Sequence, residues 1–143
     1  MIKIGNNISD FSVYSCQPKT RVELWKIIKS RISKEGSNCD LNDIDVSLID
    51  DMSWLFNTLE FNGDISRWDI RSAVNMGYMF HDSKFNQPIK DWDVSNVKNM
   101  RGMFYESNFN QDISRWKINK DCNTKEMFDD CPIKNEYKPK LLQ

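Results

Sequence analysis

Glycine and proline are sparse in this chain, at 5 and 4 residues, and histidine occurs once, at His81. There is no glycine-rich loop to cradle a phosphate, no G-x-S-x-G elbow and no cluster of metal ligands. Cys16, Cys39, Cys122 and Cys131 include no C-x-x-C pair, which with one histidine removes support for a structural zinc site. Four free thiols in a reducing compartment are expected, with a Cys122–Cys131 link as the alternative in an oxidising one. No apolar run approaches the ~20 residues that span a bilayer, and Met1–Asp10 lacks the apolar stretch of a secretory leader. A cytoplasmic protein is therefore expected, or a surface protein if the chain is a mature or trimmed form. Charge of one sign is also missing. With 20 basic and 21 acidic side chains the net charge is −1, so nothing global draws the chain to nucleic acid or anionic membrane. The sequence points to no catalytic residue, no bound metal and no cofactor.

What is present is aromatic: 5 Trp, 8 Phe and 4 Tyr in 143 residues, too many for a disordered chain and enough for one domain with a core of large rings. These rings recur. Phe61-Asn-Gly-Asp-Ile-Ser-Arg-Trp-Asp-Ile70 aligns with Phe85-Asn-Gln-Pro-Ile-Lys-Asp-Trp-Asp-Val94 and with Phe109-Asn-Gln-Asp-Ile-Ser-Arg-Trp-Lys-Ile118, at a period of 24 residues without insertion. Met76, Met79 and Phe80 return as Met100, Met103 and Phe104, and Met127 and Phe128 continue the series. A degenerate first copy supplies Leu41, Ile44, Val46, Met52 and Leu55-Phe56 in the same register. Four units thus run from 40 to 132, between an N-terminal segment (1–39) and a C-terminal cap or tail (133–143). A unit this short buries its apolar side only against its neighbours.

Within each unit, Ile65, Trp68 and Ile70 read as a short strand. Val97, Met100, Met103 and Phe104 fall at helical spacing, with Ser47 and Ser95 as N-caps. The expectation is an α/β solenoid of four strand–helix units whose strands stack in a parallel ladder about 4.8 Å apart. Trp68, Trp92 and Trp116 belong to its core. The Asn62, Asn86 and Asn110 column should satisfy backbone groups of the adjoining coil, and the Asp45, Asp69 and Asp93 column should cap turns. Position 67 alternates in sign down the stack (Arg67, Asp91, Arg115) and predicts a ladder of exposed ion pairs, each worth about 0.2–1 kcal/mol.

Ahead of the repeats, residues 18–34 read as a capping helix. Thr20-Arg-Val-Glu23 fits a capping box, and Val22, Trp25, Ile28 and Ile32 form the apolar stripe. Its basic residues Arg21, Lys26, Lys29, Arg31 and Lys34 face a chain segment of opposite sign, since residues 1–39 carry +4 and residues 40–60 carry −6.

The unit clearest at Phe85 to Phe104, with the lead-in Leu24-Trp-Lys-Ile-Ile28 and Cys39-Asp-Leu-Asn-Asp-Ile-Asp45, resembles the BspA-type leucine-rich repeat, also called the Mycoplasma or Listeria lipoprotein repeat. The resemblance covers roughly residues 20–130. It implies a leucine-rich-repeat-like solenoid used for binding, most often in bacterial surface proteins and adhesins. The expected function is a non-enzymatic protein–protein interaction module, such as a small bacterial or phage-encoded binder or inhibitor. The alternatives are a surface or adhesin-type repeat protein and a self-associating structural protein. The expected partner is a protein, with no nucleic acid and no membrane span. A four-strand ladder offers only about 320 Å², against about 800 Å² per partner in a standard interface, so flanking loops must contribute. Candidate contact residues are the exposed strand positions Ser66, Arg67, Asp69, Lys90, Asp91, Asp93, Ser114, Arg115 and Lys117. The variable loop residues His81, Asp82, Tyr105 and Glu106 follow.

Overall fold

The structure, a computed structural model, describes residues 2–3 and 12–143. Met1 and residues 4–11, which bear on the expected lack of a leader, lie outside the described residues. Two short strands, β1 (Ile2–Lys3) and β2 (Ser12–Val13), pair antiparallel. They are followed by one α-helix, α1 (Arg21–Glu35). Thr20 caps α1 by accepting from the Glu23 N–H at 3.2 Å, Glu23 reaches back to the Lys19 N–H, and Gly36 ends the helix at φ +95°. Two 3₁₀ turns, Asn135–Tyr137 and Lys140–Leu142, lie in the C-terminal segment.

The four 24-residue units stack in register, with parallel bridges Asp51–Asn75, Asn75–Asn99 and Asn99–Asn123. The expected α/β solenoid of strand–helix units is overturned. Among the described residues α1 is the one α-helix, β1–β2 is the one sheet, and the units are built from turns. Ile65–Ile70 is not a strand, and Ser95–Phe104 is not a helix. A helix would send each N–H back four residues. Here the amides of Met52, Trp54, Phe56 and Thr58 donate to the carbonyls of Asn75, Gly77, Met79 and His81 in the next coil. Met76, Tyr78, Phe80 and Asp82 donate in the same way to Asn99, Arg101, Met103 and Tyr105, and Met100, Gly102, Phe104 and Glu106 to Asn123, Lys125, Met127 and Asp129. These bonds span 2.7–3.1 Å, and the amides between them close three-residue turns within the coil.

The chain alternates in this way because two residues per coil take left-handed backbone: Trp54 and Thr58, Tyr78 and Asp82, Gly102 and Glu106, Glu126 and Asp130, all with φ between 49° and 60°. Such residues cannot continue a helix. The apolar spacing that suggested one is real, because Val97, Met100, Met103 and Phe104 are all buried. In this fold that spacing marks the inward corners of successive turns. Ser47 and Ser95 cap no helix; their amides donate to Asp45 and Asp93.

Inside the stack, Phe56, Phe80, Phe104 and Phe128 form one ring column with centroids 5.3–5.8 Å apart, and Phe61, Phe85 and Phe109 form a second. Trp68, Trp92 and Trp116 are at most 5% exposed. Their indole N–H groups donate to the carbonyls of Leu41, Ile65 and Ile89. The asparagine column satisfies backbone: Asn62, Asn86 and Asn110 accept from the amides of Asn86, Asn110 and Lys134 at 2.8–3.0 Å. Asp45, Asp69 and Asp93 accept the amides two residues on, as turn caps. Gly63 approaches the Cys39 carbonyl so closely that any side chain would collide with it.

The face of α1 that packs on the core keeps Trp25, Ile28 and Ile32 of the expected stripe, adds Leu24 and loses Val22. Leu24 and Ile28 are fully buried, whereas Val22 is 53% exposed and Trp25 lies half-buried under Lys29. The charge complementarity is realised at one residue. Arg31 forks onto both carboxylate oxygens of Asp43 at 2.9–3.0 Å and also pairs with Glu35. The expected ion-pair ladder at position 67 does not form; no salt bridge joins Arg67, Asp91 and Arg115, and Arg71 pairs with Asp69 within its own turn. An exposed pair gains too little to hold two long side chains in place.

Trp92→Ala removes a buried ring and an indole hydrogen bond together, and should cost about 3–5 kcal/mol in urea or guanidinium unfolding. A loss below about 1 kcal/mol would mean that the indole column is not core.

Candidate functional site

The candidate contact residues fall into two groups. The first follows residues 65–70 and their copies in the next two coils, where a strand is expected and turns are found. Ser66 is half-buried and gives its hydroxyl to Asp64 at 2.7 Å. Arg67 is exposed, and Asp69 and Asp93 serve their own turns. Lys90, Asp91 and Arg115 meet with Asp112 around a cleft of about 210 Å³, below the roughly 300 Å³ at which ligand pockets begin. Ser114, Arg115 and Lys117 also edge a wider cleft, about 590 Å³, with Trp116, Ile118, Lys140 and Leu141. No flat strand face connects these positions, because the segment is not a strand.

The second group, His81, Asp82, Tyr105 and Glu106, lies on the turn face of the stack, where the left-handed residues stand. The structure adds two rings that the sequence reading did not single out. Trp54 stacks on Tyr78 with centroids 4.4 Å apart and planes within 11°. His81 meets Trp54 and Tyr78 edge-on at 5.7 and 5.9 Å, and stacks on Tyr105 at 5.4 Å. Nδ1 of His81 is 2.7 Å from Oδ1 of Asn57, which fixes the ring. The four rings make a continuous row across three coils. Trp54 is 42% exposed and the other three are half-buried. A shallow groove of about 500 Å³ continues the row toward α1, lined by Val22, Trp25, Trp54 and Leu59 with Arg21 and Lys29 at its rim.

The variation between copies that marks His81 and Tyr105 as loop residues extends to the column of Trp54 and Tyr78. Positions 54, 78, 102 and 126 hold Trp, Tyr, Gly and Glu, while the neighbouring positions 55, 79, 103 and 127 hold only Leu or Met. A column that changes freely beside one that does not is solvent-facing, and a glycine in it marks positive φ. Gly102, at φ +58°, lies under the Tyr78 ring, and a Cβ there would overlap it.

The far end of the row is acidic, with Asp82, Glu106, Glu126, Asp129 and Asp130 on consecutive coils. Glu106, with contributions from Asp130 and Glu126, holds the Tyr105 phenol above its usual range. Burial pushes the thiols of Cys39, Cys122 and Cys131 up, which leaves them poor nucleophiles. All four cysteines are unpaired. Among the described residues no group of three His, Cys, Asp or Glu side chains could hold a metal ion, and no helix is long and apolar enough to cross a membrane.

A family model described as "Mycoplasma protein of unknown function, DUF285" matches residues 27–139, about four fifths of the chain. The chain belongs to the DUF285 family. No curated protein and no solved structure matches it. The part of this DUF285 chain that matches takes in more than half of α1, all four coils and the 3₁₀ turn Asn135–Tyr137, so the aromatic row lies wholly within the family's domain.

Two predictions follow from this geometry. In Gly102→Ala the added methyl must displace the Tyr78 ring. The near-UV signal of the Trp54–Tyr78 stack should weaken, with a stability loss of about 1–2 kcal/mol; an unchanged spectrum would mean that Tyr78 is not seated there. The second concerns acid. Burial raises the Asp43 pKa, but hydrogen bonds from Arg31 and Ser15 outweigh it and leave the group below its usual 3.8. Asp64 is lowered in the same direction, chiefly by the Ser66 hydroxyl. The unfolded chain therefore takes up these protons first, and the stability they contribute is complete above about pH 4 and lost as pH falls through the folded values. The urea midpoint should drop steeply below about pH 4, and less steeply in Asp43→Asn. An equal drop in both proteins would exclude Asp43 as a contributor.

Proposed function

We propose that this DUF285 chain is a non-enzymatic protein-interaction module that engages a protein partner through its turn face, with Trp54, Tyr78, His81 and Tyr105 as the anchoring row. The observation that carries this reading is the conformation of the rings' own backbone. Trp54 and Tyr78 occupy left-handed positions at φ 60° and 54°, where glycine or asparagine would be the inexpensive choice and a bulky residue costs about 1–3 kcal/mol. Neither ring repays that cost in the core; both stand at the surface, stacked on each other. Pre-ordered aromatic rings lose little entropy on docking, which is why Trp and Tyr dominate binding hot spots. The polar and acidic residues beside them, Asn57, Asp82 and Glu106, make a rim that gives specificity. The resemblance of the repeat unit to BspA-type proteins, which are binding proteins, supports the same reading.

The test is a pull-down from the native host with the full chain as bait, read by mass spectrometry. A Trp54→Ser/Tyr105→Ser bait and an Arg67→Glu/Arg115→Glu bait are run in parallel. A stoichiometric protein captured by the wild type and by the arginine variant, but lost from the aromatic variant at unchanged urea midpoint, is the expected result. A partner lost only from the arginine variant would move the interface to the other face of the stack. Equal capture by all three would end the proposal.

A further inference from the structure

The inner phenylalanine column and the outer row of rings end differently at the first coil. The inner column is closed there: Phe56 is fully buried, and so are Leu24 and Ile28 of α1. The outer row is left open. Tyr78 covers one face of Trp54 at 4.4 Å, and His81 meets that ring edge-on. The opposite face points away from the second coil, toward α1, and among the described residues no ring lies on it. One period before Trp54 stands Ser30, an exposed helix residue with no ring to offer. Trp54 is therefore 42% exposed, while Tyr78, His81 and Tyr105 are half-buried.

Trp54 forms one wall of the groove of about 500 Å³ between α1 and the first coil, which exceeds the roughly 300 Å³ at which ligand pockets begin. Val22, Trp25 and Leu59 supply the apolar lining, and Val22 is 53% exposed. The charges that line the groove are of one sign. Arg21 donates to the Ser53 carbonyl, and Lys29 stands 4.5 Å over the Trp25 ring. Among the described residues neither forms a salt bridge. Lys26, four residues from Val22 and three from Lys29, adds a positive charge to the same side of the helix. The acids closest in sequence stand outside the lining: Glu23 accepts the Lys19 N–H at the helix start, and Glu60 follows Leu59.

A bare indole face, an apolar slot and an unpaired positive rim together suit an aromatic side chain with a carboxylate beside it. The chain's own row holds such a pair, Tyr105 and Glu106, but Tyr105 is half-buried against His81, so a second copy could insert it only by breaking its own row. We propose that the groove receives one aromatic side chain of the protein partner, which lies on the open face of Trp54 as the next ring of the row, while an acidic residue beside it on the partner meets Lys29, Lys26 and Arg21. The proposal rests on the protein-binding reading and names the chemistry of the segment that the aromatic row takes.

The experiment is a titration of the full chain with end-blocked pentapeptides, read on the tryptophan indole N–H resonances by two-dimensional NMR. The first peptide carries phenylalanine between two glutamates; a second has leucine for the phenylalanine, and a third has lysines for the glutamates. The first should shift the Trp25 and Trp54 indoles and leave those of Trp92 and Trp116 in place. Leucine should weaken binding about fivefold and the lysines about tenfold. Lys26→Glu/Lys29→Glu, at two exposed positions, should reverse the preference between glutamate and lysine peptides. No shift at Trp25 and Trp54 would overturn the groove as the site. Equal affinity for phenylalanine and leucine would overturn the stacked ring, and equal affinity for both charges would overturn the acidic flank. Adenosine monophosphate offers a planar ring and negative charge without a peptide; tighter binding of it at the same indoles would overturn a protein segment as the occupant. The pull-down separates this proposal from the reading it rests on. A partner lost from both the Trp54→Ser/Tyr105→Ser and the Lys26→Glu/Lys29→Glu baits is the expected result. A partner lost from the aromatic variant but kept by the lysine variant would overturn the acidic segment and leave the aromatic row standing.

Discussion

The amide-to-carbonyl ladder between coils is the constraint on which the rest of this molecule depends. A 24-residue unit made of turns cannot satisfy its backbone alone, because alternate amides point away from it. Each finds its acceptor 23 residues later, so the period of the sequence is the period of the hydrogen bonds. One inserted residue would leave a run of buried donors unpaired, at about 1–3 kcal/mol each. The same requirement explains the two left-handed residues per coil, which turn successive amides alternately inward and outward.

The other side of the coil runs in the opposite sense. Asn86, Asn110 and Lys134 donate backward to the asparagine of the preceding coil, and the indoles of Trp68, Trp92 and Trp116 donate backward to carbonyls. The stack is therefore closed differently at its two faces. The C-terminal segment completes the backward ladder through Lys134 but supplies nothing to the forward one. At the first coil, α1 meets the exposed carbonyls with a cation, Arg21.

Of the candidate site, the sequence made the variable loop residues legible and not the rings they join. His81, Asp82, Tyr105 and Glu106 stood out because the repeat leaves those positions free to vary. Trp54 and Tyr78 did not, because a ring one position before an apolar column reads as helix interior while the segment is taken for a helix. The strand-segment residues were chosen on the premise of a flat face, and turns at Asp64, Asp69 and Asp93 leave no such face. Direction of the backbone, rather than residue type, separated the two groups.

The sequence by itself determined the period, the number of units, and which side chains are inside. Phe, Trp, Ile and Met columns held in one register can only be buried against their own copies, and the asparagine and aspartate columns carry their hydrogen-bonding partners at fixed offsets. Only the tertiary structure decided what the backbone does between those columns. A spacing of three and four residues brings side chains to one side of a helix and equally to the inside of a chain of tight turns. The difference lies in where the amides go, four residues back or 23 residues forward, and that choice exists only once a neighbouring coil is in place to accept them.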